Sequence, residues 1–123
     1  MGRLAIRSGT FEADIDVGET VDVTWKGECD LDAVEELEPF FDGVHTAAIA
    51  TSPPREVVFD LKKVEFMSSS CLAKLVAWLA RIRELEASAR YKVRIRSDPK
   101  VPWQKRSLRA VQFFAPELVI LET

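Results

Sequence analysis

The stretch EVVFDLKKVEFMSSSCLAKLVAWLARIRELEAS, from Glu56 to Ser88, changes period in the middle, and that change decides the fold. Val57, Val58, Phe59 and Leu61 form an almost unbroken apolar run rich in β-branched and aromatic residues, which predicts a central strand covered on both faces. From Leu72 onward the apolar residues Leu72, Leu75, Val76, Leu79 and Ile82 fall on one helical stripe, with Lys74, Ala77, Arg81, Glu84 and Ser88 opposite. Between the two lies a short loop ending in Ser68, Ser69 and Ser70. Hydroxyls at that point can cap the helix, whose first N–H groups lack intrahelical partners and whose dipole favours an added negative charge.

Outward from this unit the chain continues to alternate strands and helices. Phe11, Ala13, Ile15 and Val17 alternate with Glu12, Asp14 and Asp16, and after a turn Val21, Val23 and Trp25 alternate with Asp22, Thr24 and Lys26. A two-residue turn would set apolar side chains opposite polar ones, so Gly18-Glu19-Thr20 is predicted to connect the strands, pairing Val17 with Val21 and Ile15 with Val23. Gly27 ends the second strand. A helix follows to about His45, capped by Asp30 or Asp32, with a capping box from Asp32 to Glu35 and a kink or split at Pro39. His45 is expected on the surface, at the favourable C-terminal end of that helix.

Thr51-Ser52-Pro53-Pro54 is a loop. Beyond the long helix, Tyr91, Val93 and Ile95 mark a strand with a basic outer face, Leu108 and Val111 a short helix, and Glu117 to Leu121 a last strand. Trp78 falls at the margin of the long helix's apolar stripe, and Trp103 in a Pro-flanked loop. The predicted architecture is an α/β fold, β-β-α-β-α-β-α-β, with a mixed sheet covered by helices through right-handed crossovers. It spans residues 1–123 as one domain, residues 1–9 being a lead-in.

Composition narrows the function. With 47% hydrophobic and 30% charged residues, and no apolar run near the roughly 18 residues of a membrane span, the chain reads as a soluble globular protein expected in the cytoplasm. Cys29, Cys71 and the one histidine match no metal-ligand spacing, which predicts no metal or other cofactor. Cys71 near a helix start could serve as a nucleophile, but no base adjoins it, so a buried structural cysteine and a non-enzymatic protein are the preferred readings. Residues 1–60 carry 4 basic and 14 acidic side chains, residues 61–123 carry 13 and 6. Such a dipole favours oriented docking to a protein partner. The basic set Lys92, Arg94, Arg96, Lys105, Arg106 and Arg109 has no groove-entering helix or stacking aromatics beside it, which weighs against nucleic acid.

Two segments carry a resemblance. VDVTWKGECD is similar to the second strand of STAS domains, which ends in Gly-Glu-Leu-Asp, and VVFDLKKVEFMSSSCLAKL resembles their apolar strand, short turn, Asp-Ser-Ser-Gly-Leu and helix. STAS domains form bacterial anti-sigma-factor antagonists and the cytoplasmic tail of sulfate transporters. The resemblance, element order included, runs from about residue 10 to the end. It implies a signal-transduction module regulating transcription, phosphorylated by a cognate serine kinase at the second serine of the motif, Ser70, with Ser69 as its neighbour. It implies an anti-sigma factor or a serine-kinase-like protein as partner, bound through Ser68, Ser69, Ser70, Cys71 and the outer helix positions Lys74 and Ala77. The chain departs from the motif at Ser68, where the family has Asp, and at Cys71, where it has Gly. An unphosphorylated accessory or scaffold subunit of a transporter or stress-signalling assembly is the alternative, with the serines acting only as caps, and a homo-oligomer stays open.

Overall fold

The computed structural model describes residues 5–123. Six strands, β1 (Ala5–Ser8), β2 (Phe11–Val17), β3 (Val21–Cys29), β4 (Val57–Met67), β5 (Val93–Arg96) and β6 (Val119–Glu122), lie in one sheet in sequence order. Helices α1 (Val34–Ile49), α2 (Ser69–Arg83) and α3 (Pro102–Phe114) connect β3 to β4, β4 to β5 and β5 to β6. A short 3₁₀ turn, Ala87–Ala89, follows α2. β1–β2–β3 are antiparallel and β3 to β6 parallel. The mixed sheet and the β-β-α-β-α-β-α-β order are as predicted, with β1 added inside the expected lead-in.

The register of the β2–β3 hairpin is the predicted one, Val17 facing Val21 and Ile15 facing Val23. It continues across the parallel strands, so that Val17, Val21, Val57, Val93 and Val119 form one row and Ile15, Val23, Phe59, Ile95 and Leu121 the next. Parallel strands added in one direction by right-handed crossovers place every connecting helix on the same side. Burial agrees: each strand buries one alternating set, and those sets belong to a single core with the inner faces of α1, α2 and α3. The other face is open, which corrects the expectation of a strand covered on both sides. Asp14, Thr24, Asp60, Arg96 and Glu122 run across it in one row, and Arg94 pairs there with Glu56 and Glu122 at 3.1 and 2.7 Å. Val58 sits half-exposed beside Arg94.

β4 is longer than its apolar run. Its far half contains two irregularities, one opposite Thr24 to Lys26 and one opposite Gly27 to Glu28, and Lys62, Lys63, Glu65 and Phe66 are exposed. Broken alternation made that half read as a loop. Gln104, buried at the start of α3, donates to Leu61 O at 2.6 Å and Val64 O at 2.9 Å and accepts from Asp98 N at 2.8 Å. It thereby satisfies two carbonyls next to the first irregularity, and Trp103 Nε1 adds a third bond to Val64 O. The sequence signal for Gln104 is its place four residues before Leu108 on the buried stripe of α3.

α1 differs from expectation at both ends. It begins at Val34 after Ala33, without a side-chain cap, because Asp30 Oδ1 accepts from Asp32 N in a local turn and no Asp32–Glu35 box forms. It runs unbroken through Pro39 to Ile49, and its last carbonyls are met by Arg55, whose N reaches Ala48 O and whose Nη1 reaches Ala47 O, both at 2.8 Å. α2 stops at Arg83, before Ser88, and its buried residues are Cys71, Leu75, Trp78, Leu79 and Ile82. The stripe is therefore rotated from the predicted one, leaving Leu72 and Val76 half-buried and placing Trp78 inside.

His45 is buried as well, contrary to the surface position expected for it. Its Nδ1 lies 2.8 Å from the Tyr91 hydroxyl, which also accepts from Trp78 Nε1 at 2.9 Å. An indole N–H can only donate, so Tyr91 Oη accepts from Trp78, and the direction of its bond to His45 follows the tautomer of the imidazole. Burial, and secondarily the Arg81 charge, lowers the His45 pKa from 6.5 against the opposing pull of Asp42. In the unfolded chain the imidazole takes its proton first as pH falls, so stability contributed here is intact above about pH 6.5 and declines below it. A His45→Asn variant should lose that component of the decline, seen by comparing urea midpoints of both proteins at about pH 7.5 and about pH 5.5.

Candidate functional site

The serine loop sits at the carboxyl ends of β3 and β4, where a parallel sheet opens toward ligands and partners. Ser68 N donates to Cys29 O at 2.9 Å, holding the loop to the end of β3. Ser68 has extended backbone angles, φ −68° and ψ 158°, and its Oγ accepts from Cys71 N at 3.2 Å, so of the three serines it is the one that caps α2. Ser69 and Ser70 occupy the first turn, exposed, and neither hydroxyl hydrogen-bonds to another described residue. Of the three serines, one is structural and two are free for chemistry.

A depression of about 560 Å³ in front of the loop is lined by Asp30, Leu31, Asp32, Phe66, Ser68, Ser69 and Ser70. Leu31 is 68% exposed and Phe66 49% exposed. Sequence reading missed both as site residues. Leu31 stands between two aspartates after β3, and Phe66 on the irregular end of β4, so neither belongs to a periodic stripe that would have drawn attention. Lys74 and Ala77, predicted to face a partner, line a second, smaller groove between α1 and α2 of about 220 Å³. Lys74 Nζ pairs with Glu38 at 3.2 Å, and Arg81 with Asp42, across that groove.

Cys71 is fully buried, as the reading of a structural cysteine has it and contrary to the partner-facing place the resemblance implies, and its Sγ donates to Asp30 O at 3.2 Å. The predicted site residues thus fall into an exposed set, Ser69, Ser70 and Ala77, a half-buried pair, Ser68 and Lys74, and the inward-facing Cys71. Of the basic set, Arg94, Arg96 and Lys92 are engaged with Glu56, Glu122 and Glu117 O, whereas Lys105, Arg106 and Arg109 on the outer side of α3 form no ion pair with a described residue. Among the described residues no group of three metal-ligating side chains occurs, and no helix is long and apolar enough to cross a membrane.

No family model matches the sequence, and no curated protein matches it either. Solved structures do. An anti-sigma factor antagonist from Mycobacterium paratuberculosis is similar over 98% of this chain and 84% of its own, at 18% identity and a TM-score of 0.60. The anti-sigma factor antagonist SpoIIAA, solved in its unphosphorylated form, is similar over 92% of this chain and 88% of its own, at 27% identity and a TM-score of 0.52. With its sheet order, its three one-sided helices and the serine loop between β4 and α2, the chain has the STAS fold and is similar along nearly its whole length to anti-sigma-factor antagonists.

Proposed function

We propose that this protein is a non-enzymatic regulatory module that docks a partner, an anti-sigma factor or a serine-kinase-like protein, through the serine loop, and that phosphorylation of Ser70, or of its neighbour Ser69, switches the docking. The observation that carries the reading is the pair of exposed hydroxyls on the first turn of α2, bonded to no described residue and bordered by exposed Leu31 and Phe66. Two apolar side chains beside small polar groups provide a desolvated contact around a spot that stays uncharged until modified.

A phosphoserine adds about −1.5 to −2 charge. On Ser70 it would meet the positive end of the helix dipole, and Lys74 one turn further on, at the i,i+4 spacing that lets a cation swing from Glu38 to the phosphate. Toward the depression it would meet Asp30 and Asp32, so the same charge that α2 accepts is added to an already acidic docking surface. A partner fitted to the neutral hydroxyl then loses contact and gains repulsion.

The Ser70→Asp variant is expected to bind the cognate partner at least about tenfold more weakly, about 1.4 kcal/mol, with Ser70→Ala close to wild type. Calorimetric titration of both variants measures this. Equal affinity of Ser70→Asp and wild type would favour instead the accessory or scaffold role in a transporter or stress-signalling assembly, in which this loop carries no switch.

A further inference from the structure

Cys29 closes β3 and Cys71 stands in the first turn of α2, far apart in sequence, yet the fold brings them into one small ring of hydrogen bonds. Ser68 N donates to Cys29 O at 2.9 Å, Cys71 N to Ser68 Oγ at 3.2 Å, and Cys71 Sγ to the carbonyl of Asp30, the residue after Cys29, at 3.2 Å. Both side chains are fully buried in the same core cluster. Burial, reinforced by the adjacent Cys71 thiol, pushes the Cys29 pKa well above the usual thiol range, so in the closed structure it is a protonated, unreactive group. Neither cysteine has a part in the docking chemistry above. What they share is position: together they bracket the loop that carries Ser69 and Ser70.

We propose that Cys29 and Cys71 are a disulfide-forming pair that, when oxidised, fastens the end of β3 to the first turn of α2 and fixes the serine loop between them. The oxidant class is a low-molecular-weight disulfide. As the loop opens locally, the Cys71 sulfur attacks one sulfur of glutathione disulfide, forming a mixed disulfide and releasing one glutathione. The Cys29 sulfur then attacks the Cys71 sulfur, forming the Cys29–Cys71 bond and releasing the second glutathione. The two thiol protons end on the two released glutathiones, and the two electrons lost by the cysteines reduce the glutathione disulfide. The bond itself requires nothing of the switch reading; only its consequence for docking rests on that reading, because it would hold Ser68 to Ser70 in one arrangement.

The test equilibrates the full-length wild-type chain with glutathione disulfide at about pH 8, where a useful fraction of exposed thiol is ionised. Acid quenching, digestion without reductant and mass spectrometry follow. The expected result is a monomer about 2 Da lighter than the reduced chain, with the Cys29 and Cys71 peptides joined, dithiothreitol restoring the mass, and amide exchange slowed over Ser68 to Leu72 in the oxidised form. Two thiols still open to alkylation in denaturant, glutathione adducts or chain-to-chain dimers as the only products, or a joined pair with unchanged exchange would each overturn the proposal. None of these readouts depends on phosphorylation of Ser69 or Ser70, so this proposal and the switch fail separately.

Discussion

Trp25→Ala should destabilise the protein by about 3–5 kcal/mol, the cost of emptying a large aromatic site at the centre of a core. Trp25 is fully buried and is the hub of an aromatic cluster, with ring centroids 5.2 Å from Phe11, 6.1 Å from Phe40, 5.6 Å from Phe41 and 4.8 Å from Phe59. The first and last of these are edge-to-face contacts, the geometry aromatic pairs prefer, and the cluster joins β2, β3 and β4 to α1. Phe41 then stacks on Trp78 at 4.8 Å and extends the contact to α2. The same residue holds a liability, because its Nε1 is buried with no hydrogen-bond partner among the described residues, a defect worth about 1–3 kcal/mol. Trp25→Phe removes that orphan donor while keeping a ring in place, so it should cost less than half as much as the alanine change. Urea unfolding of the three proteins measures both effects. Equal losses for Phe and Ala would mean that the indole N–H is satisfied in solution.

Gly27→Ala should be comparably severe, about 3–5 kcal/mol, although it adds one methyl group rather than removing a ring. Gly27 has φ +93°, a conformation that side-chain-bearing residues rarely adopt, and a Cβ built on it would lie 1.9 Å from Thr10 O and 2.7 Å from Thr10 C. Backbone atoms cannot swing aside as a side-chain tip can. Accommodation would require the β1–β2 turn at Gly9-Thr10 to lift from β3, exposing Phe11 and one flank of the Trp25 cluster. Loss of stability with accelerated amide exchange in Phe11 to Val17 is the expected pattern, and a near-wild-type urea midpoint would refute the close approach.

The contrast between these two sites shows which physics can be read from a sequence. Wherever one face of an element was buried and its neighbours were regular, pattern sufficed: the Val17–Val21 register followed from keeping polar side chains out of the core, and a hydroxyl cap for α2 followed from the three serines at the strand-to-helix junction, of which Ser68 is the one that caps. Pattern failed where a long-range contact overrode it. Val57-Val58-Phe59 reads as buried on both faces, but all three helices lie on one side and Val58 rests among charged residues on the other. The far half of β4 lost its alternation at two irregularities, beside which Gln104 and Trp103, far along the chain, meet the Leu61 and Val64 carbonyls.

The site divides in the same way. Ser69 and Ser70 were legible from their place at the start of the long helix and from the resemblance to the STAS motif, and both are exposed. His45 was not, because its burial depends on Trp78 of α2 and on Tyr91 in the segment before β5. Leu31 and Phe66 come to line the depression beside the serines only once the ends of β3 and β4 are set side by side. Cys71 was readable as a buried cysteine but not as lost to a partner, because the rotation of α2 that buries Trp78 turns it inward as well.

The central claim is that an exposed hydroxyl at the start of α2 carries a reversible charge. Phosphosite mapping by mass spectrometry on the protein isolated from its own cells, under several growth conditions, tests it most directly. The account predicts phosphate on Ser70, or on Ser69, in at least one condition, and none on Ser68, whose oxygen is committed to the Cys71 amide. Repeated absence of phosphate from both Ser69 and Ser70 in every condition would contradict it.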